Sequence, residues 1–437
     1  MATQLYFSRD TKCYIEFKGV VWEMPILDGF SFSQANNTSE ISLSEMESSG
    51  GVSRRGRRAF NDSLAAGEWS FSTYVRPFTS VGSSGTAANP ADQNGKADAA
   101  AEVHAVEEVL WAMMAAADTY ASNAFTRTTN AVSGPVITPA SSSSAVTFAE
   151  SNRSTLQTAN IYFVLGDANR TVIKLKDAIV NEASIDFEID GIATINWSGQ
   201  CSEVLDFGGS VIEDTAIPVD TDTTRDGGTV SVGDVWLDSD DDYQLYVLTA
   251  INTGAASTPT TYVNEQILAT DNFIRNRLTQ LSINGANTTG LLSGANAYSL
   301  TLTGGNITIS NNVSYITPEE LGVVNVPIGH VTGGRAVSGS FTCYLSLDTA
   351  ATDGTGNLSR DFFEDIRGLT STVTNSVALT FKIGGATSGR RLEVNFPTAH
   401  IEIPTHSIED VISLETNFMA LPSAIDGTDE MTLTYKV

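Results

Sequence analysis

Positive charge is scarce in this chain. Of 437 residues only 24 are Lys or Arg against 51 Asp or Glu, a formal net charge of −27, and charged residues of both signs make up 17%. That is below the roughly one quarter usual for soluble domains. A protein that wraps nucleic acid gains affinity by neutralising phosphates with cations. The acidic balance excludes such a role over most of the surface. It leaves simple solubility, or a surface that must not hold a passing polyanion. Ser, Thr, Asn, Gly and Ala take the place of the missing charges, which suits short strands, turns and large polar contacts.

Cysteine is nearly absent as well. Cys13, Cys201 and Cys343 are odd in number, far apart and without a C-x-x-C, so no disulfide framework is expected and a reducing compartment fits. No apolar run approaches the length of a membrane span, and MATQLYFSRD lacks the charged and apolar regions of a secretion signal. No membrane anchor is expected. The four histidines, His104, His330, His400 and His406, include no zinc spacing such as H-E-x-x-H. Along one strand His400 and His406 would stand about 20 Å apart, too far for one metal. No nucleophile elbow, phosphate loop or dinucleotide fingerprint occurs. The carboxylates spread through strands and turns, the pattern of a solvated face. No catalysis and no cofactor are expected.

What is present is an internal repeat. Residues 29–46 (GFSFSQANNTSEISLSEM) align without a gap with 304–321 (GGNITISNNVSYITPEEL) at an offset of 275, with Gly29/Gly304, Asn36/Asn311, Asn37/Asn312, Ser39/Ser314, Ile41/Ile316 and Glu45/Glu320 identical. Ser70–Val75 then matches Ser340–Leu345 at an offset of 270, and Phe163–Ala168 matches Phe381–Ala386 at 218. The three matches are collinear, and the falling offset gives the first copy a longer middle segment.

Period-two alternation marks sheets with one buried face. In Ile179–Trp197, Ile185, Phe187 and Ile189 point one way and Asp186, Glu188 and Asp190 the other, with a hairpin or bulge at Gly191. His400–Met419 does the same in the second copy, with Ile401 and Ile403, a break at Pro404, and a strand that resumes over Val411–Leu414. A stripe of Val103, Val106, Val109, Leu110, Met113 and Met114 predicts a helix near Ala97–Tyr120, and Ser359 caps a second with Phe362, Phe363, Ile366 and Leu369 inward. The expected fold is mainly β: two tandem antiparallel β-barrel or sandwich domains, 1–207 and 270–437, each with one flanking α-helix. Between them, 208–269 reads as a linker with a hairpin across Asp238–Asp242. That acidic tip is a solvated turn or a calcium loop; it lacks the Gly and distal Glu of the known loop.

One basic cluster stands out, Arg54, Arg55, Arg57 and Arg58, within the loop 47–63. It allows nucleic-acid binding, a solvated loop, or docking onto an acidic neighbouring copy, to which guanidinium forks pair bidentately and with salt sensitivity. The matching loop of the second copy, GVVNVPIGHV, is apolar.

The run WEMPILDGFSFS from Trp22, the loop with Arg54–Arg58, the Trp69-Ser-Phe-Ser-Thr-Tyr strand and the Ile179–Trp197 hairpin resemble the major tail tube proteins of tailed bacteriophages. The likeness is strongest over 14–205 and returns over 273–437. It implies a virion protein whose β-barrels, six to a ring, stack into a hollow tube for genome ejection. It also implies that Glu47–Asp62, with Arg54, Arg55, Arg57 and Arg58, makes ring-to-ring contacts. Two fused copies imply a pseudo-hexameric ring of three chains. The implied partners are the chain itself and tail sheath, baseplate or terminator proteins, with assembly in the host cytoplasm and DNA passing unbound. Asp186, Glu188 and Asp190 become candidates to face the channel. Another virion β-protein (capsid decoration, baseplate or fibre) or a bacterial surface adhesin are the alternatives.

Overall fold

The structure is a computed structural model. It describes residues 5–17, 20–42, 57–79, 102–115, 119–120, 127–128, 137–148, 156–166, 170–207, 211–214, 224–225, 228–229, 233–239, 244–247, 250–252, 255–257, 261–262, 273–285, 298–321, 324–346, 359–368, 377–385, 389–425 and 427–437. The fold is mainly β.

The first half holds β1 (Lys12–Phe17), β2 (Val20–Glu23), β3 (Ser31–Ser33), β4 (Asn36–Ser42), β5 (Arg57–Leu64) and β6 (Gly67–Tyr74). Helix α1 (Glu108–Met114), the hairpin β7 (Ile137–Pro139) and β8 (Ser143–Thr147), and then β9 (Ala159–Leu165), β10 (Thr171–Glu188), β11 (Thr194–Cys201) and β12 (Glu203–Asp206) follow. A hairpin of β13 (Val235–Asp238) and β14 (Gln244–Val247) lies between the halves. The second half holds β15 (Gln280–Gly285), β16 (Leu302–Ser310), β17 (Val313–Ile316), β18 (Gly329–Thr332) and β19 (Ala336–Tyr344). It ends with α2 (Ser359–Gly368), β20 (Val377–Ile383), β21 (Arg391–Ile401), β22 (Thr405–Ser407), β23 (Ser413–Ala420) and β24 (Thr432–Lys436).

Each half folds as two antiparallel sheets around aromatic residues. In the first, β3-β6-β11-β10 forms one sheet and β2-β1-β9-β10-β12 the other. In the second, β16-β19-β23-β22 and β15-β20-β21-β24 do the same. The strand pairings recur with their register. Ser31 faces Ser70 as Asn306 faces Ser340, positions 275 and 270 apart. Ile179 faces Gln200 as His400 faces Met419, and Ser184 faces Asn196 as Thr405 faces Glu415, in both cases 221 and 219 apart. β21 and β22 together thus stand where β10 stands, interrupted at Pro404.

The 18-residue β10 serves both sheets because its alternation is reset twice. Asp177 has φ 49°, and the register with β11 shifts between Val180 and Glu182. An extra residue in a strand bends it and flips the following side chains. Leu175, then Ala178 and Val180, then Ala183, Ile185 and Phe187 therefore all reach one core. Phe163 of β9 contacts Phe30 (5.1 Å), Phe32 (5.2 Å) and Phe71 (6.5 Å) across that core. In the second half Phe381 meets Phe341 and Phe418.

The halves are braced together. β10 pairs with β16 over seven residues, from Glu182 opposite Ser310 to Glu188 opposite Gly304, and Phe187 meets Phe381 at 5.6 Å. β8 of the first half extends the second half's sheet through β24. The β13–β14 hairpin packs elsewhere. Its Val235, Leu237, Leu245 and Val247 cluster with Tyr14, Tyr162, Val164 and Val172, which point out of the β1-β9-β10 sheet away from the main core. Asp240–Asp242 of the acidic tip lie outside the described residues, and Asp238 is buried.

Three expectations need correction. The helix expected over 97–120 spans only Glu108–Met114, and Val103–Ala105 is a strand paired with Pro77–Thr79. All seven helical residues are buried, so a 3-to-4 stripe carried no information about where the helix ended. Ile189 is not inward: β10 ends at Glu188, and Ile189 is 40% exposed in the turn. The second copy's hairpin strand resumes at Ser413, leaving Val411 and Ile412 exposed.

Candidate functional site

The brace between β10 and β16 makes one sheet of eight strands, β3-β6-β11-β10-β16-β19-β23-β22. One face is core. Alternation fixes what the other face carries. One row across it runs Ser72, Asn196, Ser184, Thr308, Ser338 and Met419, and the next runs Tyr74, Thr194, Asp186, Asn306, Ser340 and Asn417. Glu68, Glu182, Glu188, Glu402 and Glu415 add carboxylates to Asp186. Among the described residues of these strands the face carries no Lys or Arg.

Short side chains tie the surface together. Asp186 accepts hydrogen bonds from Ser184 Oγ (3.1 Å) and Asn196 Nδ2 (2.5 Å), and Ser72 Oγ donates to Asn196 Oδ1 (2.6 Å). In the second half Ser340 Oγ donates to Asn306 Oδ1 (2.9 Å) and Asn417 Nδ2 to Glu402 Oε2 (2.9 Å). Chemically this is a hydroxyl- and carboxylate-bearing wall. It offers phosphates no counter-charge and repels them. Of the expected channel residues, Asp186 and Glu188 lie on this face. Asp190 sits beyond the strand in the turn, exposed and ion-paired with Arg277 at 3.3 Å.

Two hairpins leave the same end of the sheet. β4–β5 continues from β3 and returns to β6; β17–β18 continues from β16 and returns to β19. They touch: Leu64 N donates to Asn325 O (2.8 Å), and Ser63 bridges Asn325. Arg57 and Arg58 lie exposed on β5, opposite Ser42 and Ile41, and Arg57 pairs with Glu40 at 3.1 Å. Arg54 and Arg55 lie outside the described residues. The second hairpin presents Ile316, Leu321, Val324, Val326, Ile328 and Val331, all exposed.

A buried polar cluster escaped the sequence reading. Tyr435 of β24 donates to Glu107 Oε1 (2.6 Å) and accepts from Trp111 Nε1 (2.6 Å), joining the chain's last strand to α1. His104 Nδ1 and Glu108 Oε2 are hydrogen-bonded beside it (2.9 Å), and Arg76 is also buried. Burial pushes the Glu107 carboxyl up to about 7, against the opposing pull of the Tyr435 bond and Arg76. Burial lowers Arg76, partly offset by Glu107. Nothing in local sequence pairs residues 107 and 435; only the fold does. Among the described residues no group of three or more His, Cys, Asp or Glu could hold a metal, and no helix is long and apolar enough to cross a membrane.

A mainly β chain with a polar sheet face that carries no Lys or Arg among its described residues, and with paired projecting hairpins, has the makings of a structural protein. No family model matches the chain. It is 24% identical over 410 residues to the tail tube protein pb6 of Escherichia phage T5, covering 93% of this chain and 69% of that protein. The likeness supports a phage tail tube protein, a structural component of the virion tail.

Proposed function

We propose that this chain assembles with itself into rings, three chains to a ring, and that the rings stack into the tail tube. In this reading residues 1–207 and 270–437 are two tandem copies of one unit, and three chains bring six units to a pseudo-hexameric ring. The polar face of the eight-stranded sheet turns to the channel, where Asp186 and Glu188 help keep DNA in transit unbound. The role is architectural and needs no catalysis. The β13–β14 hairpin packs on the side of the first unit away from its core, so it belongs to the outer wall, where tail sheath, baseplate or terminator proteins are the partners.

The observation that carries this reading is the sheet itself: eight strands with one core face and one face rich in Ser, Thr, Asn and carboxylates, without Lys or Arg among the described residues. An ordinary soluble surface mixes charges of both signs. The two hairpins support stacking, since they project together from one end of the sheet, one with arginines and one apolar. Their target is the next ring.

Electron microscopy of the purified protein tests this. Stacked rings or tubes with a central channel are expected; discrete monomers or solid rods would contradict it. Replacing Arg54, Arg55, Arg57 and Arg58 by Ser is expected to leave rings but shorten or abolish tubes, an effect that raised salt should imitate in the parent. Tubes of parental length at physiological salt would defeat the stacking role.

A further inference from the structure

We propose that β22 of one copy pairs antiparallel with β3 of a second copy, with Thr405 opposite Ser33, His406 opposite Phe32 and Ser407 opposite Ser31. This rests on the ring reading above and names the edges and the register that close it.

The chain contains its own template for the contact. β10 and β16 already join two units side by side, with Ser184 opposite Thr308, Ile185 opposite Ile307 and Asp186 opposite Asn306. The register equivalence of 221 carries Ser184, Ile185 and Asp186 onto Thr405, His406 and Ser407. The equivalence of 275 carries Thr308, Ile307 and Asn306 back onto Ser33, Phe32 and Ser31. Those six residues lie on the two outermost strands of the sheet. Among the described residues β3 pairs only with β6 and β22 only with β23.

Burial points the same way. Ile408 is 79% exposed, while its counterpart at the internal joint, Phe187, is 2% exposed. On the receiving side Phe30 and Phe32 are only partly buried at the rim of the core. Natural sheet edges are usually blunted by lysine, inward charge or a covering loop; neither β3 nor β22 contains a charged residue. Pro404 has no N–H to give, so the contact starts after it, at Thr405. The contact is heterologous, each copy giving one edge and receiving the other, and such contacts close into a ring when the rotation permits.

Cysteine cross-linking of the full chain reads the register. Ser31 and Ser407 are seven strand spacings apart in one chain, roughly 30 Å, so a disulfide between them must join two chains. The three native cysteines are buried and give little background. Assembled Ser31→Cys/Ser407→Cys, mildly oxidised, is expected to run as covalent dimers and trimers on a non-reducing gel. Ser33→Cys/Thr405→Cys, in the same register, is expected to do likewise, and the off-register Ser33→Cys/Ser407→Cys to link at least tenfold less. If the assembled protein links only off register, or not at all in either in-register pair, this proposal fails while the ring reading stands. A parent chain that sediments as a monomer at every concentration overturns both.

Discussion

Gly199→Ala is expected to cost about 3 kcal/mol of stability, seen as a lower denaturant midpoint and loss of assembly. A Cβ at Gly199 would come within 1.9 Å of the Ile179 carbonyl oxygen and 2.5 Å of the Trp69 ring. Neither can yield cheaply. The carbonyl belongs to β10 beside its bulge, and Trp69 lies directly across from Gly199, buried, its indole N–H held by Gln200 O at 3.2 Å. Gly304→Ala is the control. Its Cβ would meet only Phe187 O, at 3.6 Å, on the polar face, and its effect should stay within about 1 kcal/mol. The strand pairing recurs in the second half. At the equivalent place in the second half the partners have changed strands, with Gly339 facing Phe418 and a Cβ on Gly339 set 2.7 Å from that ring. Each half thus keeps one large and one absent side chain at this pair, conserving volume while exchanging which strand supplies it.

The second large effect is a pH dependence at Glu107. Its carboxyl is pushed up to about 7 in the fold, from an ordinary 4.5, chiefly by burial. A raised carboxyl pKa means the folded state holds the proton more tightly than the unfolded chain. The stability is therefore fully present below about 4.5 and is lost as pH rises through about 7, by roughly 3 kcal/mol in total. Glu107→Gln keeps an oxygen to accept from Tyr435 and removes the ionisation. The variant should match the parent near pH 4.5 and exceed it in stability above pH 7, with the gap opening between those values. Urea denaturation of both proteins across that range checks the sign; a gap that closes as pH rises would contradict it.

Much of this architecture is legible in the chain because period-two patterning and register are local properties. The offsets 275 and 270 between sequence matches are the offsets at which Ser31 and Asn306, and Ser70 and Ser340, pair with their neighbours. Asp186 and Glu188 could be read as facing away from Ile185 and Phe187 for the same reason. The hidden parts are those where distant segments meet. The joining of β10 to β16 pairs Ile185 with Ile307, and no pattern within either strand states that. The Glu107–Tyr435 bond spans 328 residues. The short span of α1 was hidden because burial on every side erases the periodicity that marks a helix's bounds. The breadth of the face without Lys or Arg among the described residues depends on the order of eight strands, each of which contributes only a few Ser, Thr or Asn residues that look unremarkable alone.

In the assembly proposed above, the sheet joined inside each chain continues from chain to chain around a channel. Cryo-electron microscopy of assembled tubes tests it directly. The expected map has rings of three chains with approximate sixfold symmetry, eight strands from each chain in one closed inner wall, and Asp186 and Glu188 facing the lumen. Rings of six chains, or an inner wall built from the β1-β9-β10 sheet instead, would contradict it.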